Sequence, residues 1–109
     1  MARYLIQVSI KPEVFATMIK NPQDRGAAVR PIFEAAGGKL EEYYFAIGEN
    51  TVYILAEVPD QMSLEALCMA TLAGGAITSI KMTALLTAQE AIGVMKKAAE
   101  VAYRPPSGS

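Results

Sequence analysis

The sequence predicts an α+β domain, a four-stranded antiparallel sheet with helices on one face, its elements ordered β-α-β-β-α-β-α. Three observations predict it. Apolar residues alternate on a two-residue period in four segments, and helix-spaced apolar stripes separate the first from the second and the third from the fourth. The second and third strand segments are joined only by Gly48-Glu49-Asn50, a hairpin connection. At 109 residues the chain is long enough to build one core without disulfides or a structural metal.

The first strand runs from Tyr4 to Ile10, with Tyr4, Ile6, Val8 and Ile10 on one face and Leu5, Gln7 and Ser9 on the other. Pro12 suits a first helical turn, and Phe15, Met18 and Ile19 supply a short apolar stripe. Asn21-Pro22-Gln23-Asp24 restarts the helix, with Asn21 expected as N-cap and Pro22 at the first position. Val29, Ile32, Phe33 and Ala36 then recur at the spacing of one buried helical face, with Pro31 inside it, and Gly37-Gly38 ends the helix. Leu40–Ile47 and Val52–Val58 form the hairpin. Pro59-Asp60 opens the next helix, whose inner face is Leu64, Leu67, Cys68 and Thr71, and Gly74-Gly75 closes it. Residues 77–86 form the fourth strand, with Ile80, Met82, Ala84 and Leu86 on one side. Thr87-Ala88-Gln89-Glu90 has capping-box spacing, and the last helix is expected to reach about Ala102. The domain is taken as residues 1–103, followed by a polar, disordered tail at 104–109.

The first six elements have the order of the split β-α-β, or ferredoxin-like, arrangement. Right-handed crossovers then place the first and third strands centrally and the second and fourth at the edges. Two helices cover one face of such a sheet. The other face is expected to carry Leu5, Gln7 and Ser9, then Tyr43, Phe45 and Ile47, then Tyr53, Leu55 and Glu57, then Lys81, Thr83 and Leu85. That face is too apolar for water, since each large side chain stabilises by roughly 1.5–3 kcal/mol when buried. Two open faces packed together in a homodimer solve the problem most simply.

Composition narrows the chemistry. A net charge of −1 gives no basic footprint for nucleic acid or an anionic membrane, and no apolar run spans a bilayer. With no His, Ser-His and Cys-His nucleophile pairs and the usual zinc sites are excluded. One Cys permits no internal disulfide and suits a reducing compartment, so a cytoplasmic protein is expected, without metal or cofactor.

Several stretches together resemble the GYD domain family of the dimeric α/β-barrel superfamily, over roughly residues 4–100. They are Gly37-Gly38-Lys39-Leu40, the aromatic strand Tyr43-Tyr44-Phe45, Gly48-Glu49, the strand end Glu57-Val58-Pro59-Asp60, and Thr87 followed by Glu90. In that family Gly-Glu is typically followed by Tyr-Asp; here Asn50 and Thr51 stand in those positions. The resemblance implies the ferredoxin-like fold paired as a dimeric α/β barrel. It implies no particular activity, because the superfamily spans cofactor-independent monooxygenases, isomerase-like enzymes, haem proteins and ligand-sensing domains.

Candidate site residues follow from the open face. Glu57 is the weak candidate for a catalytic base, set against a salt bridge near the rim. Gln7, Tyr43, Phe45, Tyr53 and Lys81 are the candidate ligand-binding residues, set against core and interface mass. Cys68, with no base nearby in sequence, reads as a packed small hydrophobe. The leading expectation is a homodimeric small-molecule-binding or accessory domain with an apolar, aromatic-lined pocket, the ligand being small and apolar or aromatic. A cofactor-independent monooxygenase- or isomerase-like enzyme and a structural assembly module are the alternatives.

Overall fold

The computed structural model describes residues 2–101 and 104–106. The expected helix end at Ala102 and the last three tail residues lie outside them. The chain runs β1 (Ala2–Ile10), α1 (Pro12–Lys20), α2 (Arg25–Ala35), β2 (Lys39–Ala46), β3 (Thr51–Val58), α3 (Gln61–Ala73), β4 (Ile77–Leu85) and α4 (Ala88–Glu100). The strands form one antiparallel sheet in the order β2-β3-β1-β4, so β1 and β3 are central and β2 and β4 are edges, as the crossover rule requires.

The central pair makes the core. Ile6, Val8 and Ile10 of β1 and Val52, Ile54, Ala56 and Val58 of β3 all face the helices, and Val52, Ala56 and Val58 are 0% exposed. Leu40, Phe33, Leu64 and Leu67 complete it. In β4, Ile80 and Met82 pair with Val8 and Ile6 on that same inner side. An irregularity between Ser9 and Ile10 brings Ile77 opposite Ile10, so the odd-numbered Ile77 and the even-numbered Ile80 of β4 share one face.

The ends of α2 are determined by local chemistry. Asn21 is the C-cap of α1, not the N-cap of the next helix; Asp24 takes that role, its carboxylate accepting the Ala27 N–H at 3.0 Å. The reason is Pro22, whose ring disfavours helical geometry at Asn21 and so delays the restart. At the other end the Gly38 N–H donates to the Phe33 carbonyl (2.8 Å) and the Gly37 N–H to that of Glu34 (2.9 Å), a Schellman closure. Gly37 takes φ +80°, and Gly38 lies so close to β3 that an added Cβ would stand 2.5 Å from the Glu57 carbonyl oxygen. The paired glycines thus stop the helix and let the chain enter the sheet edge.

Strand β2 differs from its expected orientation. Leu40 pairs with Ala56, but the register then shifts: Glu42 opposes Leu55, Tyr43 opposes Ile54 and Phe45 opposes Val52. Glu41 is the extra residue of a bulge, which reverses the facing of everything after it. Tyr43 and Phe45 therefore point to the helix side, while Tyr44, opposite Tyr53, takes the open face. Ile47 lies in the turn, 95% exposed, rather than on the sheet face.

The last helix stands apart. It starts with a complete capping box, Thr87 Oγ1 accepting the Glu90 N–H at 3.0 Å and Glu90 accepting the Thr87 N–H at 2.8 Å. None of its residues is buried. The molecule measures 56 × 36 × 24 Å with a radius of gyration of 17.4 Å, against about 13 Å for a compact chain of about 100 residues. No described helix is long and apolar enough to cross a membrane.

Candidate functional site

The sheet and its helices do not close on each other. Near β2, α2 packs tightly: Phe33 is buried, and buried Gly26 brings the first turn of α2 against Tyr43, where an added Cβ would stand 3.3 Å from the Tyr43 Cβ. Towards β4, α3 buries only Leu64 and Leu67, and the inward-facing Ile77, Ile80 and Met82 remain half-buried. Ala70, Gly74 and Ala76 on that side are too small to fill the space. The result is a cavity of about 340 Å³ between the inner sheet face and the helices.

Its walls are aliphatic, with Ile6, Val8, Val52 and Ile54 as the floor and Val29, Ile32 and Leu67 among the helical residues above. Four polar side chains reach it: Arg25, Tyr43, Cys68 and Thr71. The Thr71 hydroxyl donates to the Leu67 carbonyl at 2.6 Å, so its proton is already used. Cys68, on the predicted inner face of α3, is a half-buried free thiol. Burial pushes the Tyr43 phenol above its ordinary value, and the neighbouring Arg25 pulls in the opposite direction. The Arg25 Nε is buried with no hydrogen-bond partner.

Arg25 also borders a shallower groove outside the cavity, lined by Phe15, Ile19, Phe45 and the turn residues Gly48, Glu49 and Asn50. Phe15 and Phe45 line it with centroids 6.5 Å apart, and Tyr43, which lines the cavity, packs against Phe45 with centroids 5.5 Å apart. Asn50 holds the turn through its backbone, its carbonyl accepting the Ile10 N–H at 2.7 Å. That contact does not depend on the side chain at Asn50.

The structure divides the sequence-predicted residues between two sites. Tyr43 and Phe45 belong to the cavity and its outer groove. Gln7 lies between Tyr53 and Lys81 in one row across the opposite, open face, and the Tyr53 hydroxyl donates to Glu49 at 3.4 Å. Glu57 is on that face too, 3.3 Å from the Arg3 guanidinium. Arg3 also holds Glu41, Nε to Oε1 at 2.8 Å and Nη2 to Oε2 at 3.3 Å, which draws the Glu41 carboxyl below its usual range. Sequence reasoning missed Arg25. Its signal was present: Arg25 stands four residues before Val29, at the head of the buried stripe of α2, where a cation is out of place.

Fold and site define a ferredoxin-like α+β domain with an apolar cavity between its sheet and its helices. The family model for the GYD domain matches residues 4–95, and the chain belongs to the GYD domain family. Among solved structures it is similar to the C-terminal domain of the MgtC protein from Mycobacterium tuberculosis, with a TM-score of 0.54 and 13% identity over 78% of this chain and 88% of that one. It is also similar to an antibiotic biosynthesis monooxygenase, with a TM-score of 0.45 and 15% identity over 80% of this chain and 98% of that one. At such identities the likeness is one of fold. Among curated proteins none matches the chain.

Proposed function

We propose that this protein binds a small apolar molecule in the chamber between sheet and helices, and does so as a homodimer. The cavity carries the reading: about 340 Å³ walled by aliphatic side chains is roughly twice the ~150 Å³ that admits a benzene ring into a dry protein core. It also falls within the ~300–1,000 Å³ usual for ligand pockets. An empty space of that size weakens a core through lost dispersion contacts, so a bound guest would return stability as well as occupancy.

The dimer rests on the unpartnered surfaces. Leu5 and Leu55 are paired across the open face, with Tyr44, Tyr53 and Leu85 around them. Helix α4 exposes Ile92 and Met95, one turn apart, with Ala91 beside them. A second copy laid against the open face would cover both surfaces, the Arg3–Glu41–Glu57 cluster forming part of its rim. Gln7, Tyr53 and Lys81 then serve the subunit contact and Tyr43 serves the ligand, while Phe45 lines the groove outside the chamber. The single thiol suits a reducing compartment, so we place the protein in the cytoplasm.

Native mass spectrometry of freshly purified protein, followed by denaturation of the same sample, tests both halves. A dimer that carries a small mass released on denaturation, or takes up 1-octanol when offered it, is the expected result. A chain that neither retains nor takes up an apolar guest would overturn the binding assignment; a monomer at micromolar concentration would overturn the dimer.

A further inference from the structure

Besides the Cys68 thiol and the Thr71 hydroxyl, which is bonded to the Leu67 carbonyl, the chamber's polar groups are Arg25 and its neighbour Tyr43. A buried guanidinium nitrogen without a partner is a costly arrangement, because a donor removed from water must be compensated by an acceptor within the protein or its ligand. Among the described residues no carboxylate lies within ion-pair distance of Arg25; the nearest acid in sequence, Asp24, is engaged by the Ala27 N–H. Arg25 borders both the chamber and the outer groove, so its charge stands at the edge of the apolar space. The Tyr43 phenol, beside Arg25, can donate a hydrogen bond at the same place.

Building on the binding function assigned to this chamber, we propose that its ligand is an apolar carboxylic acid, with the carboxylate on Arg25 and Tyr43 and the hydrocarbon body against Val8, Ile54 and Leu67. The guanidinium fork matches a carboxylate in geometry and charge, and a phenol donor beside it completes the acceptor's surroundings. A guest without an acceptor would leave the buried Nε unpartnered, and a neutral acceptor would satisfy its hydrogen bond without meeting its charge. An acid with charge at both ends would have to desolvate one of them among aliphatic side chains. The site therefore selects one polar end and one apolar body.

Calorimetric titration of the full chain with octanoate and with 1-octanol, which differ mainly in the headgroup, tests this. The acid is expected to bind at least about tenfold more tightly, the scale of one charge-assisted hydrogen bond. Arg25→Gln should remove that preference by weakening octanoate more than 1-octanol, with an unchanged cooperative thermal transition reporting an intact fold. Tyr43→Phe should reduce the preference by a smaller factor. Equal binding of acid and alcohol by the natural chain would overturn the headgroup assignment and leave the chamber's binding role standing. So would an acid preference that survives Arg25→Gln. Failure of both compounds to bind would overturn the two together.

Discussion

The two faces of the sheet are built from alternate residues of the same strands, yet they answer to different constraints. On the inner face Val52, Ala56 and Val58 are wholly buried and no charged side chain is fully enclosed. On the outer face their immediate neighbours Tyr53, Leu55 and Glu57 stay half-buried, mixed with Gln7, Lys81 and the Arg3 cluster. The inner face holds the chain together and floors the cavity. The outer face tolerates charge, and its apolar centre is the surface that the proposed dimer would cover. If so, burial on one strand separates stability from association, residue by residue.

The sharpest way to break that comparison is to place the same charge on each face. Val52→Asp buries a carboxylate with no partner and should cost more than about 4 kcal/mol, removing the cooperative thermal transition. Leu55→Asp should leave the chain folded, with a stability change within about 1 kcal/mol, but reduce its mass to that of a monomer in sedimentation. Comparable unfolding by both would erase the distinction.

The bulge at Glu41 extends the comparison to the edge strand. Because Tyr43 faces in and Tyr44 out, Tyr43→Ala should cost about 2 kcal/mol and Tyr44→Ala no more than about 0.5 kcal/mol in urea unfolding of the monomeric Leu55→Asp background. The reverse order would restore the unbulged register.

Smaller effects come from the element ends. The Asp60 carboxylate accepts the Ser63 N–H at 2.8 Å, so Asp60→Ala should lower stability by about 1 kcal/mol, because α3 packs on the inner face. The smallest concerns pH. Hydrogen bonding to Arg3 draws Glu41 below its ordinary 4.5, and the Ser63 amide draws Asp60 below 3.8. Both contributions are fully present above those ordinary values and are lost as pH falls through the lower folded ones. The melting temperature should therefore decline below about pH 4, and Glu41→Gln should flatten that decline.

Much of this was legible in the chain. The inward sets of β1 and β3 matched the period-two pattern. Strand β4 matched it at Ile80, Met82 and Ala84 but not at Leu86, which lies beyond the strand and is exposed, nor at Ile77, which the register shift turns inward. The stops at Gly37-Gly38 and starts at Asp60 and Thr87 lay where their chemistry placed them. The methionines were a poorer guide. Met18 and Met82 line the chamber, whereas Met62, Met69 and Met95 are 66–80% exposed. The expected apolar strength of the open face also weakened once Tyr43, Phe45 and Ile47 left it, and α4 supplies a second apolar surface in their place.

The division between the two kinds of information follows from range. Sequence by itself determined the strands and the hairpin, because alternation and hairpin turns act between residues a few positions apart. The central pairing followed from the handedness of the crossovers, and the family from a resemblance in particular stretches such as Tyr43-Tyr44-Phe45 and Glu57-Val58-Pro59-Asp60. Only the tertiary structure decided the facing of β2, because a bulge is a property of two strands in register, and Glu41 has no meaning as an extra residue until β3 lies beside it. The chamber is likewise a tertiary outcome. Its volume is what remains after α2 settles against β2 and α3 against β3 and β4, and that placement turns Arg25 from a surface cation into the one charge bordering an apolar space.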